Sequence, residues 1–340
     1  MSLSDFGPGW RWALLLAFCS SACAAPSVDP ALDVYAHSQQ LVQLPDGRGM
    51  NLNCQGAGTP TVILEAGAGG STLDWRRVQG RMAQLTRVCA YDRAGMGFSD
   101  SGPLPRTAKA VMEDFVALLQ AAQLKPPYVL VGHSLGSYFV RLYADHYLSN
   151  VVGMVLVDPS VEYQDTRMAA VSPQLSASIR KSDEEQRECA RLAQSGELKV
   201  DSALFKACSF GNKRDLAFSD SLFQVVTRRR LSAAFRVTYV SEIDNMEGQD
   251  SAELTEARRS YGSIPLIVLS AADSGPVAQL FMNMHQGLAH LSSRGMHRRV
   301  EKSGHYIQLD RPEVVVGAVG EVLAGSAAGA PCRQTTASCR

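Results

Sequence analysis

The chain has 340 residues, of which 46% are hydrophobic, and its 33 Lys and Arg residues balance 33 Asp and Glu residues. This apolar fraction excludes a largely disordered chain and fits one large domain with an insertion, or two small domains. The formal net charge is zero and the sequence has no long basic block. Nucleic acid is therefore not expected as a partner.

The first 25 residues have the pattern of a secretory signal peptide. Arg11 precedes an apolar core from Trp12 to Phe18, and small residues follow up to Ala24. This core is shorter than the about 20 residues that span a bilayer, so we expect no stable membrane insertion. The pattern predicts a signal peptide over 1–24 and a secreted or periplasmic product. A buried N-terminal helix is the alternative, and Cys23 leaves lipid attachment open.

Disulfide bonds are expected from the cysteine count. Six cysteines follow the leader, namely Cys54, Cys89, Cys189, Cys208, Cys332 and Cys339. An even number of cysteines in an exported chain indicates disulfides. Closeness in sequence favours Cys189 with Cys208 and Cys332 with Cys339, which leaves Cys54 with Cys89. Zinc is the rival interpretation, but the sequence lacks C-x-x-C or clustered Cys/His spacing, so no metal is expected.

Two short strands and a glycine-rich loop open the predicted fold. Gln40 to Gln43 and Met50 to Cys54 flank a turn composition at 45–49, which predicts a β-hairpin. The β-branched run Thr61 to Leu64 predicts the next strand, and Gly67 to Gly70 follow it. A phosphate-binding loop would need Lys-Ser/Thr after these glycines, whereas Ser-Thr-Leu follows. A tight turn and an oxyanion-binding loop remain as interpretations.

Helices and strands then alternate along the chain. A helix is predicted over Asp74 to Leu85, because apolar residues recur there at helical spacing. Further strands are predicted at Val88 to Tyr91, Tyr128 to Val131 and Val151 to Val157, and an amphipathic helix is marked by Val111, Phe115, Leu118, Leu119 and Ala122. This alternation predicts an α/β fold with a parallel sheet that helices cover on both faces.

Helical patterns alone continue from 160 to 262, which predicts a helical cap. Within it, Ser182 to Glu185 has the form of a capping box that starts a helix. Leu222, Val225 and Val226 indicate an apolar helix face, and Arg228 to Arg230 are interpreted as solvated.

The end of the chain returns to alternating strands and helices. A strand at 264–269, a helix through Phe281 and Leu288, and a strand near Arg298 to Val300 are predicted. A final helix, with Val315, Val319 and Leu323 on its apolar face, is expected to start near Asp310, with Asp310 and Glu313 as capping residues.

A nucleophile-elbow pattern, Gly132-x-Ser134-x-Gly136, follows the strand at Tyr128 to Val131. A serine held in a strained turn between a strand and a helix projects its hydroxyl outward, and flanking glycines let the two elements approach closely. Ser134 is therefore the candidate nucleophile.

A serine nucleophile needs a base, and the base needs a carboxylate that fixes its tautomer. His305 fits the base, because it lies between the last predicted strand and the final helix. The side chain of His133 is expected to point away from the site, and His285 and His290 are expected to be packed or partly exposed on a helix. Asp158 and Asp273 each follow a predicted strand, so either carboxylate could reach His305.

Together these landmarks resemble a serine hydrolase of the α/β-hydrolase superfamily, from about Leu41 to Leu323. They are Leu64 to Gly69, Tyr91 to Gly97, the elbow at Ser134, and Gly304-His305 followed by Pro312. Ala66 departs from the pattern, since relatives commonly have His there.

The resemblance implies the α/β-hydrolase fold, with a mostly parallel sheet, flanking helices and a helical cap inserted after the sixth strand. It divides the chain into a core at 30–159 and 263–326, a cap at 160–262 and a C-terminal tail at 327–340. It also sets the second and fourth strands side by side, which pairs Cys54 with Cys89.

The implied activity is hydrolysis of a small-molecule carboxylic ester through an acyl-enzyme, without a cofactor. The backbone N–H groups of Ala68 and Leu135 would form the oxyanion hole. Asp273 is favoured as the acid, because the superfamily most often carries it in the later loop, and Asp158 is the alternative. Ser134 argues against dehalogenases and epoxide hydrolases, which use Asp at the elbow. A lactonase, a thioesterase or a noncatalytic ligand-binding protein are the other readings.

Overall fold

The computed structural model describes residues 28–198, 204–208, 217–272 and 274–328. Within these residues an eight-stranded sheet has the order β1-β2-β4-β3-β5-β6-β7-β8. The strands are β1 (Gln40–Gln43), β2 (Gly49–Gln55), β3 (Thr61–Glu65), β4 (Val88–Tyr91), β5 (Tyr128–His133), β6 (Val151–Val157), β7 (Leu266–Ala271) and β8 (Gly295–Val300). The pairs β1–β2 and β2–β4 are antiparallel and the other pairs are parallel. The predicted mostly parallel sheet and its opening hairpin are confirmed.

Helices cover both faces of the sheet. The α-helices of the described residues are α1 (Gln79–Met82), α2 (Ala108–Ala121), α3 (Gly136–Tyr147), α4 (Gln164–Val171), α5 (Pro173–Ser195), α6 (Phe205–Cys208), α7 (Asp220–Arg230), α8 (Ala233–Asn245), α9 (Ser251–Ala257), α10 (Pro276–Ala289), α11 (Ile307–Asp310) and α12 (Pro312–Ala328). Short 3-10 turns lie at Pro30–Ala36, Thr72–Trp75 and Leu148–Asn150, and a π-helical turn at Met246–Asp250 joins α8 to α9. In the part of the chain that the structure describes, no helix combines the length and apolarity needed to cross a membrane.

The core consists of two apolar layers, one on each face of the sheet. Phe115 of α2 and Leu142 of α3 belong to one layer, whereas Trp75 and Val319 of α12 belong to the other. Because both faces of β3, β5, β6 and β7 are covered, these strands are nearly continuous apolar runs rather than alternating ones.

The helix predicted over Asp74 to Leu85 is wrong as a single element. A 3-10 turn at Thr72–Trp75 and the single turn α1 replace it, and Leu85 is 53% exposed rather than buried. The backbone N–H of Thr72 donates to Asp92 Oδ1 at 2.7 Å. This long-range hydrogen bond fixes the start of the segment as a turn, so tertiary contacts override the helical pattern.

The segment between β6 and β7 is helical in its described residues, but the capping-box prediction is wrong. Ser182 to Glu185 lie inside α5, which starts with Pro173 in its first turn and ends at Gly196, with φ of 75°. The reason is that α5 packs against α8 and carries Cys189, which is bonded to Cys208 of α6.

Two other local predictions need correction. Arg229 is not simply solvated, because its guanidinium lies 3.6 Å from the centroid of the Phe98 ring and donates to the backbone oxygen of Gly97. Asp310 ends α11, and its Oδ2 accepts a hydrogen bond from the backbone N–H of Gly304 at 2.8 Å. The final helix starts at Pro312, close to the predicted start, so only the capping role of Asp310 is wrong.

A second disulfide joins the sheet itself. Cys54 of β2 and Cys89 of β4 are direct cross-strand partners, and their Cα atoms lie 4.1 Å apart. The structure thus contains two of the predicted disulfides. The predicted signal peptide and the pair Cys332–Cys339 lie outside the described residues.

Candidate active site

Ser134 occupies the turn between β5 and α3 with a φ of 50°. A Cβ on Gly136 would lie 2.4 Å from the backbone oxygen of Ala66, and one on Gly132 would lie 2.8 Å from Ser137 Cα. Glycine is therefore required at both positions for the turn to fit against its neighbours. Positive φ in a non-glycine residue is a strained conformation, which persists where the surrounding structure over-determines it.

Backbone hydrogen bonds hold this turn against the end of β6. The N–H of Ser134 donates to the backbone oxygen of Val157, and the N–H of Ser160 donates to the backbone oxygen of Ser134, both at 3.1 Å. The hydroxyl-bearing side chain is not part of this backbone network and lines two cavities.

His305 follows β8 and contacts Asp158, which follows β6. His305 Nδ1 and Asp158 Oδ2 are 2.6 Å apart, and the imidazole is 48% exposed. A carboxylate only accepts hydrogen bonds, so Nδ1 carries a proton, and the uncharged form of the ring has its lone pair on Nε2. This is the tautomer that a general base for a serine hydroxyl requires. Asp273, the other candidate acid, lies outside the described residues.

Two further contacts hold the carboxylate of Asp158. Its Oδ1 accepts from the N–H of Ala271 at 3.0 Å, and its own backbone N–H donates to the oxygen of Leu269 at 2.7 Å. Burial would raise the pKa of Asp158, but the hydrogen bond and charge of His305 outweigh it and hold the pKa below its usual range. The carboxylate therefore stays ionised at neutral pH.

His133 lies directly beneath the catalytic candidates rather than pointing away from them. Its Nε2 donates to the backbone oxygen of His305 at 2.9 Å, and the two imidazole rings are 4.7 Å apart. Burial, with the nearby charge of His305, lowers the pKa of His133 to about 3. His133 is thus a neutral support for the loop that carries His305. His285 of α10 is buried, whereas His290, the residue after this helix, is exposed.

The glycine-rich loop after β3 forms the wall opposite His305. Gly70 N donates to the oxygen of Gly67 at 3.0 Å, and Gly69 has a φ of 64°. Ala68 lines the larger cavity at this turn. Leu135 lies at the start of α3, where backbone N–H groups have no acceptor within the helix. Leu135 thus adjoins Ser134 in the chain, and Ala68 lines the same cavity as Ser134.

Arg93 is a buried residue of this site that the sequence did not single out. Its guanidinium donates to the backbone oxygens of Ala66 and Gly67, at 2.7 and 2.8 Å, and so holds the glycine-rich loop from behind. It also pairs with Glu65 at 2.7 Å and with Glu242 of α8 at 2.8 Å. Its importance could have been inferred from the sequence, because a charged Asp-Arg pair follows directly after a fully buried strand, where water cannot stabilise the charges.

Two cavities meet at Ser134 and His305. The larger, of about 770 Å³, extends between the glycine-rich loop and α7, and its walls include Phe223, Val226 and Tyr239. The smaller, of about 530 Å³, runs along α10 and is walled by Val277, Phe281 and Met282, among others. Among the residues that the structure describes, no group of three or more His, Cys, Asp or Glu side chains could hold a metal ion.

A comparison of the sequence with protein-family models matches the alpha/beta hydrolase family over residues 62–318. The chain belongs to this family.

Among curated relatives, the uncharacterised protein YqjL of Bacillus subtilis is 26% identical over 271 residues, which cover 79% of this chain and 85% of YqjL. The protein efuK of Hormonema carpetanum, which is named as a transporter, is 36% identical over 121 residues. The chain spans only 17% of that relative's length and the match covers 34% of this chain, so its name does not transfer.

Solved structures share the fold at low sequence identity. A candidate epoxide hydrolase from Pseudomonas aeruginosa has a TM-score of 0.64 at 18% identity, with 83% of this chain and 93% of that chain covered. A thermophilic esterase from Thermogutta terrifontis has a TM-score of 0.61 at 19% identity, with 85% and 99% covered. At this identity the likeness concerns the fold alone.

Proposed function

We propose that this protein is a serine hydrolase that cleaves carboxylic esters through Ser134, His305 and Asp158. The observation that carries the proposal is the hydrogen bond of 2.6 Å between His305 Nδ1 and Asp158 Oδ2, formed beside the strained turn of Ser134. Asp273, favoured by the family resemblance, is the alternative acid.

The reaction proceeds in two acyl-transfer steps. His305 Nε2 takes the proton of the Ser134 hydroxyl as its oxygen attacks the ester carbonyl. The backbone N–H groups of Ala68 and Leu135 donate to the oxyanion, and the alcohol leaves with the proton held by His305. A water molecule, deprotonated by His305, then attacks the acyl-enzyme and releases the acid and free Ser134. Asp158 stabilises the imidazolium in both steps.

The two cavities suggest an ester with a substituent of several carbon atoms on each side of its carbonyl. Both cavities open at Ser134 and His305, and each has apolar walls. An acetyl ester has too short an acyl group to fill one of the cavities, which would then hold water. Binding of such an ester would lack the free energy that burial of a longer apolar substituent provides.

The two disulfides indicate an oxidising compartment, since such bonds are rare in the reducing cytosol. Together with the leader pattern at 1–24, they support export of the protein to the periplasm or the medium.

Hydrolysis of p-nitrophenyl esters with increasing acyl length tests the proposal, and parallel thioester and lactone panels assign the acyl bond. We expect turnover that Ser134→Ala abolishes, and labelling by a fluorophosphonate probe that the same substitution prevents. A Ser134→Ala protein with unchanged urea midpoint and near wild-type turnover would reject Ser134 as nucleophile. A folded wild type that neither hydrolyses any panel nor reacts with the probe would instead be a binding protein.

A further inference from the structure

A buried row of polar side chains lies behind Asp158 and has no part in the proposed chemistry. Ser270, at the end of β7, has its Oγ 2.6 Å from His285 Nδ1 and 2.7 Å from His297 Nε2. On the other side of its ring, His285 Nε2 lies 2.8 Å from the backbone oxygen of Pro159. Ser270 and His285 are only 2% and 1% exposed.

The contact with Pro159 decides which nitrogen of His285 carries the proton. The oxygen of Pro159 can only accept, so His285 Nε2 carries a proton and Nδ1 of the neutral ring accepts from the Ser270 hydroxyl. His297 contacts the Ser270 oxygen from the other side, and its Nδ1 lies 3.2 Å from the side-chain oxygen of Gln286.

Burial is the main cause that lowers the pKa of His285, to about 4, against the opposing charge of Asp158. His285 is therefore neutral at neutral pH and keeps the hydrogen-bonding pattern just described.

The row ends where the candidate acid needs support. Asp158 has a φ of 42°, a strained conformation that persists only when the surroundings over-determine it. The adjacent residues Ser270 and Ala271 supply two such restraints. Ala271 N–H donates directly to Asp158 Oδ1, and Ser270 acts through His285 on Pro159, the residue after the acid.

We infer that His285 is a positioning residue, which holds the Asp158–Pro159 turn so that the carboxylate meets His305 in the productive geometry. Ser270 and His297 orient the His285 ring. The inference rests on the proposed role of Asp158 as the acid.

The primary test compares His285→Leu, which loses the hydrogen bond to Pro159, with His285→Gln, whose side-chain amide can restore it. Hydrogen-bond partners that orient metal-bound histidines typically change activity about 10–100-fold when removed, and we take the same range for a partner that orients the acid. We expect His285→Leu to lower kcat by about that factor with little change in KM, and His285→Gln to recover most of the loss. Asn283→Leu, at an exposed position of the same helix, is the control and should leave both constants unchanged.

A simple packing role would give equal losses for the Leu and Gln variants, and a substrate-contact role would raise KM instead; either result overturns the inference. If His285→Leu does not fold, Ser270→Ala removes the orienting hydroxyl with little change in volume. It should lower kcat several-fold at unchanged KM, and an unchanged kcat would then refute the inference.

A double-mutant cycle separates this inference from the proposed function. In an Asp158→Asn background His285→Leu should have little further effect, because the group it positions is already impaired. If the two losses multiply, the positioning role is refuted while Asp158 keeps its own. If Asp158→Asn alone leaves turnover intact, the proposed acid is wrong.

Discussion

The sheet core and the helical segment between β6 and β7 are held by different forces. The strands pack between two extensive apolar layers. The helical segment joins a small apolar cluster in which Phe218 and Leu222 pack with Tyr35 and Leu73 of the rest of the chain. Ion pairs with buried side chains also attach the segment to the core. Arg93 of the core pairs with Glu242, and Arg141 of α3 pairs with Glu162 at 2.7 Å.

Apolar packing and buried ion pairs differ in how strictly they fix the orientation of the segments that they join. Apolar burial is non-directional, whereas a buried guanidinium fixes its carboxylate partners in angle and distance. Arg93 bonds the glycine-rich loop and α8 with the same side chain, so the helical segment is aligned with the wall of the proposed oxyanion hole. We therefore expect substitutions at the core edge to affect chemistry, and substitutions at the connecting ion pairs to affect stability and alignment.

The largest effect is expected at the core edge. Asp158→Asn should lower kcat by about 10⁴-fold, as loss of a triad acid can do, because the amide favours the wrong His305 tautomer. The urea midpoint should change little in comparison. Asp273→Asn is the paired variant and should stay close to wild type in steady-state kinetics. A large loss of kcat in Asp273→Asn together with a small loss in Asp158→Asn would identify Asp273 as the acid.

The second largest effect is expected at the connection between the two regions. Arg93→Met leaves Glu65 and Glu242 buried without their partner, a situation that typically costs about 3–5 kcal/mol of unfolding free energy. Arg187→Met is the matched control within the helical segment, because its pair with Asp244 is 49% and 39% exposed. Such an exposed pair contributes about 0–1 kcal/mol. Equal, small losses in urea denaturation would show that Arg93 does not join the regions.

The third largest effect is expected from removal of the disulfides, which should act differently in the two regions. Their sequence separations of 35 and 19 residues correspond to about 4 and about 3 kcal/mol in the chain-entropy model. Replacing Cys54 and Cys89 with Ser should lower the unfolding free energy of the whole protein. Replacing Cys189 and Cys208 should mainly speed proteolysis within the helical segment. Cleavage of the sheet before that segment in the second variant would contradict this division.

The smallest expected effect concerns pH and His133. Its folded pKa of about 3 lies below the ordinary 6.5, so between these values the unfolded chain binds a proton that the folded chain does not. Stability from neutral His133 is thus present above pH 6.5 and lost as pH falls towards 3.

The substitution His133→Asn removes this pH-dependent contribution to the free energy of unfolding. The stability advantage of wild type over the variant should shrink by about 2 kcal/mol between pH 6.5 and pH 5. Urea titrations of both proteins at the two pH values measure it. An advantage that stays constant with pH would mean that His133 is protonated in the folded protein.

The strands and the nucleophile turn could be predicted from the sequence, because local patterns determine them. Apolar runs of four to seven residues that are rich in β-branched side chains and bounded by turn residues indicate buried strands. The glycines around Ser134 are required by atoms within a few ångströms of the turn. The pairing of Cys54 with Cys89 was implied by the resemblance to the α/β-hydrolase superfamily, which sets the second and fourth strands side by side.

Long-range contacts decided the rest. Thr72 starts a 3-10 turn because Asp92, twenty residues away, accepts its N–H, and Ser182 stays inside α5 because that helix packs along α8. The contact of Asp158 with His305 spans 147 residues, and the partners of Arg93 and His285 come from separate elements. Periodicity records whether a side chain is buried, but a buried polar group is stabilised by a partner whose identity depends on how distant segments meet.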